Sequence, residues 1–241
     1  MALDVYVGPL TRYYTGDWEN VAERSVRERG RAAARPPAGD PAADRAADQG
    51  KDADLVRARV LDWRAALGRS LGDRVSEPLA WDEAADTSHF TGRPGWDGFG
   101  SLVLWAAYAE HPALRRPLAL PEEWDDDPAL IRSNAESFRS RYSHLVRNVE
   151  LWLPCDLGFT FEGEDVDGRR IVVGSVQMLS SQLGDLNTAT WKARGDEIEA
   201  WGRGPPQANA PLELQARYAF AAMSDLARRA VEHRLPMKLD Y

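Results

Sequence analysis

Cysteine occurs once in the 241 residues, at Cys155, which excludes an internal disulfide and any zinc site built from several thiolates. It stands in Trp152-Leu153-Pro154-Cys155-Asp156, at the end of an apolar run, and reads as a small buried side chain; a reactive thiol is the other reading. No apolar run is long enough to span a bilayer, and residues 1–8 carry neither a basic start nor an apolar stretch of leader length. The chain is therefore expected to be cytoplasmic, with no membrane contact. Basic residues are in deficit, 30 Lys and Arg against 38 Asp and Glu, for a net charge of −8 and a pI near 5.1. With no strong basic cluster, that balance argues against a nucleic-acid surface. Residues 23–35 are rich in arginine but lead into a stretch without fold signals, and read as a solvated helix end.

Catalytic signatures are missing too. There is no Walker loop, no dinucleotide glycine fingerprint after a strand, no Gly-x-Ser-x-Gly elbow and no His-Glu-x-x-His. The four histidines lack ligand spacing, and no cofactor or metal is expected. From Arg27 to Asp54 there is no Val, Ile, Leu, Met or aromatic residue. Such a segment cannot bury enough apolar area to offset its ordering entropy. The expectation is one domain over 1–241, interrupted at 27–54 by a low-complexity insertion, mobile or a frayed helix.

Elsewhere the patterning is clear. Leu3, Val5 and Val7 alternate as in a strand with one face on a core, stopped by Gly8-Pro9. Residues 11–20 read as a polar, aromatic loop in which Asp17 caps a helix through Val21, Ala22 and Val26. Val56, Val60, Trp63 and Leu67 mark an amphipathic helix starting near Asp52 or Asp54, with Gly72 past its end. Residues 78–82 suggest a short edge strand, and 88–100 a loop feeding an all-apolar central helix at about 98–110, ended by Pro112. A charged helix is expected from Leu130 to about Arg147. Val149, Leu151 and Leu153 then alternate on one strand face, and a hairpin turns at 164–168. Helices follow from Val176, capped by Ser175, and from Pro211; Leu235, Met237, Leu239 and Tyr241 alternate on a last strand. The fold class expected is α+β: an antiparallel or mixed sheet that includes both terminal strands, packed against amphipathic helices.

Three groups of residues invite a functional reading. Tyr13, Tyr14 and Trp18 offer aromatic area with polar tips, suited to a ligand or partner. His89, Arg93, Trp96 and Asp97 share one glycine-rich loop: His89 as general base, Asp97 as its orienter and Arg93 as an anion contact would outline a hydrolytic site. In the structural alternative, Asp97 caps the central helix. Asp125, Asp126 and Asp127 could hold a hard cation, but stand before Pro128 where a helix cap explains them. Two functions follow. The first is a non-catalytic cytosolic binding protein, immunity or antitoxin-like, acting on a protein partner through an acidic and aromatic surface that includes Tyr13, Tyr14, Trp18, Arg93 and Trp96. The alternative is a hydrolase or small-ligand enzyme using His89 and Asp97.

Overall fold

The computed structural model describes residues 3–19, 21, 42–207 and 209–241, with 42–51 described by backbone alone. The expected helix from Asp17 and the part of the low-complexity stretch at 27–41 lie outside the described residues. The strands are β1 (Asp4–Val7), β2 (Phe90–Gly92), β3 (Val149–Leu153), β4 (Phe161–Glu164), β5 (Arg170–Ser175) and β6 (Met237–Asp240). The helices are α1 (Leu10–Thr15), α2 (Ala42–Leu71), α3 (Trp96–Glu110), α4 (Pro128–Asn134), α5 (Ser143–Val146), α6 (Val176–Ala189), α7 (Gly195–Trp201) and α8 (Leu212–His233).

The strands form one mixed sheet in the order β2-β1-β6-β3-β5-β4, with β3 and β5 parallel and all other neighbours antiparallel. Both terminal strands belong to it, as the α+β reading requires, and they lie side by side. Period-2 alternation sends Val5, Val7, Met237 and Leu239 into a core with α3, α6 and α8. A second core, holding Leu10, Val60, Leu151, Leu153 and Val173, fills the other face beneath α1 and α2. The polar alternates of β1 and β6 are therefore buried as well: Tyr6 and Lys238, paired across the strands, are 0% and 1% exposed.

Several local expectations are corrected. Val149 does not share a face with Leu151, because a register shift between them turns Val149 towards α3 and Leu151 towards α2. Residues 10–15 are helix, not loop. Glu83, far along the chain, accepts hydrogen bonds from Leu10 N (3.0 Å) and Thr11 N (2.7 Å), replacing a local cap. Residues 78–82 form no strand, whereas Phe90–Gly92 pairs with β1. The helix expected from Leu130 to Arg147 breaks at Ala135, which is extended. There Glu110 accepts from Ser133 Oγ, Ser140 Oγ and Arg141 N, drawing the chain into a tight bend. α2 reaches back to Ala42, so 42–54 is helical. The segment between Trp191 and Trp201 holds α7.

The central helix lies where its composition puts it, with residues 98–108 all buried. Its N-cap is Gly95, at φ 69°, and Asp97 falls inside the first turn, where its charge suits the helix dipole without capping. A Cβ at Gly98 would sit 3.2 Å from that of Ala219, so the missing side chain is what brings α3 against α8.

Candidate functional site

At the far end of β6 the fold leaves a recess of about 310 Å³. Tyr13 and Tyr14 reach it from α1, and Trp18 follows the left-handed turn at Gly16. Lys238, Asp240 and Tyr241 come from the last strand, while Asp165, Asp167 and Arg169 come from the turn between β4 and β5. Tyr13 stacks on Trp18 with ring centres 5.7 Å apart, and its hydroxyl donates to Asp240 Oδ1 at 2.9 Å.

Lys238 forms the floor. Its Nζ lies 3.4 Å from Asp165 Oδ2, and 5.4 and 6.0 Å from the ring centres of Tyr13 and Tyr14. Burial holds its pKa below the ordinary lysine value, with the Asp165 charge opposing that effect. The other oxygen of Asp165 accepts from the backbone N–H groups of Asp167 and Arg169, both at 3.0 Å, so one carboxylate folds the turn and partners the lysine. Burial likewise pushes the Tyr13 and Tyr14 phenols well above their usual range. At the rim, Glu150 accepts from Arg169 (2.9 Å) and from the Tyr241 hydroxyl (2.7 Å).

The residues singled out in 88–100 divide. Trp96 packs edge-on against Tyr241, ring centres 5.1 Å apart, which joins it to the recess. Arg93 grips Asp4 with both prongs, at 2.7 and 2.6 Å. Asp4 faces Asp240 directly across β1 and β6, so Arg93 neutralises one of two opposed carboxylates and its charge is spent on the fold. Tyr13, Tyr14 and Trp18 thus line the recess with Asp240 and Tyr241, Trp96 touches it through Tyr241, and Arg93 is held by Asp4 and is not part of its lining.

His89 and Asp97 do not form a base and its orienter. His89 Nδ1 lies 2.9 Å from Arg12 Nη1; a guanidinium only donates, so Nδ1 accepts and the ring proton sits on Nε2. Asp97 lines a different recess, with Leu120, Trp124 and Gln215. Asp127 caps α4, accepting from Ala129 N at 2.8 Å and from the Tyr108 hydroxyl at 3.1 Å. Among the described residues no group of His, Cys, Asp and Glu has the arrangement of a metal site. Cys155 is 8% exposed, and burial pushes its thiol up to about 12, so it stays protonated at neutral pH.

Lys238, Asp165, Asp240 and Tyr241 were not among the candidates from sequence. Lys238 occupies a polar position of an alternating strand, a pattern that assigns it to solvent, and the acidic turn at 164–168 reads only as a hairpin. No described helix is long and apolar enough to cross a membrane. Compared with family models, curated proteins and solved structures, the chain has no significant match.

Proposed function

We propose that the chain is a non-catalytic, cytoplasmic binding protein of the immunity or antitoxin kind, which holds a basic segment of a protein partner at the recess beside β6. The convergence of Tyr13, Trp18, Trp96 and Tyr241 on one rim, over carboxylates, carries this reading. Aromatic side chains bury large areas at low entropic cost and attract cations over their faces, and such residues dominate interface energetics. Asp240 adds a carboxylate with no cationic partner among the described residues, while Asp167 and Glu150 are paired with Arg59 and Arg169; the net charge of −8 favours a basic partner at long range. The hydrolytic alternative lacks comparable support, since its base faces a guanidinium and its orienter lies elsewhere.

A photoreactive p-benzoylphenylalanine in place of Trp18 tests the reading in source cells, with the same group at the exposed Leu118 as control. The expected result is a partner crosslinked from position 18 and not 118, through a Lys- or Arg-rich segment. Once purified, it should form a stoichiometric complex that weakens as salt is added. A toxin encoded beside this chain is the first partner to assay, with relief of its toxicity on co-expression. Equal crosslinking from both positions, or a complex indifferent to salt, overturns the proposal.

A further inference from the structure

On the other side of the sheet, between the ends of α3 and α6, lies a separate recess of about 390 Å³. Trp105, Tyr108, Pro112, Leu114, Arg116 and Thr190 line it. Its volume falls within the roughly 300–1,000 Å³ typical of small-molecule sites. The guanidinium carbon of Arg116 sits over the Trp105 ring, 3.6 Å from its centre, a cation–π contact that holds the fork against the indole.

The partners of that fork are missing. Among the described residues Arg116 forms no ion pair, and its Nε is buried without a hydrogen-bond partner. Glu213, the carboxylate that influences it most, is gripped by Arg217 at 2.5 Å. Trp105, 7% exposed, also has a buried indole N–H without a partner. Burial pulls the Arg116 pKa down, the direction of a cation that gives up water, and the Glu213 charge opposes that effect without overcoming it. A fixed, partly buried guanidinium with donors to spare is a poor device for stability, because removing a cation from water costs free energy unless hydrogen bonds and opposite charge replace the lost hydration. It is a good device for an incoming anion.

We infer that this recess binds a small organic acid, with the carboxylate on the Arg116 guanidinium and an apolar body against Trp105, Pro112 and Leu114. The planar fork matches a carboxylate's two oxygens, and the apolar walls select an acid that carries a hydrocarbon or aromatic group over inorganic anions. A neutral isostere would leave the guanidinium unpaired, so discrimination should come from the charge.

The test is calorimetric titration of the full chain with phenylacetate, 3-phenylpropionate and indole-3-acetate, each beside its primary amide. At least one acid should bind at low millimolar concentration or better, and at least about tenfold more tightly than its amide. Arg116→Gln should remove that preference, while its free Tm stays at or above that of the parent, since a buried charge is relieved. Arg116→Lys, which keeps the charge and loses the fork, should fall between them. Acid and amide binding alike, no acid binding, or acid binding unchanged in Arg116→Gln overturns the inference; the comparison of acid with amide on the parent chain holds even if a variant folds poorly.

Discussion

Lys238 stands where alternation along the last strand assigns a solvent-facing side chain, yet it is 1% exposed. A period of two records which face a residue takes, and says nothing of what later covers that face. Here α1 and the acidic turn cover it, and Asp165 supplies the counter-charge. Breaking a buried pair from one side is costly, so Lys238→Met, which keeps most of the stem, should lose about 3 kcal/mol in urea unfolding at neutral pH. His144 offers a pH readout. It is fully buried, Gln182 Nε2 approaches its Nδ1 at 3.3 Å, and burial lowers its pKa from 6.5 to about 4. The unfolded chain therefore takes up the proton first, so the contribution is complete above pH 6.5 and is lost as pH falls towards 4. At about 1.4 kcal/mol per pH unit, roughly 3 kcal/mol is at stake. The difference in stability between the parent and His144→Asn should shrink over that window; a constant difference would refute the assignment.

At the scale of elements, what was legible in the sequence was what is local. Ser175 and Asp127 cap their helices within three residues, accepting from Met178 N and Ala129 N, and both are readable from spacing. The central helix is readable because nearly every side of it is apolar. α1 was not, because its cap arrives from Glu83, 73 positions away from Leu10. Glu83→Ala should strip both accepted hydrogen bonds from α1 and cost about 2 kcal/mol in thermal or chemical unfolding. Since α1 carries Tyr13 and Tyr14, the same substitution should also weaken partner binding. Asp127→Ala should cost about 1 kcal/mol, and the parent's Tm should not rise with added calcium or magnesium, the outcome that separates a cap from a cation site. The break at Ala135 and the bulge in β3 had no local signal; both answer to Glu110 and to packing on the two faces of the sheet.

For the whole molecule, the alternating patterns of the two terminal strands implied that both join a sheet, and they do, as neighbours: β6 lies between β1 and β3. Strand order was out of reach, because pairing depends on contacts distant in sequence. Deleting residues 237–241 removes a strand from inside the sheet and the floor of the recess together, so the shortened chain should show no cooperative unfolding transition in circular dichroism. The candidate site follows the same division. Its aromatic residues were conspicuous in sequence, whereas their meeting around Asp240 and Tyr241 is a product of topology. The measurement that bears most directly on the proposed function is the Kd of the purified complex with the partner crosslinked at position 18, compared among the parent, Trp18→Ala and Leu118→Ala. The recess as binding site predicts a loss of at least about 30-fold for Trp18→Ala, the scale of an interface hot spot, with no change for Leu118→Ala; an unchanged Kd for Trp18→Ala would contradict it.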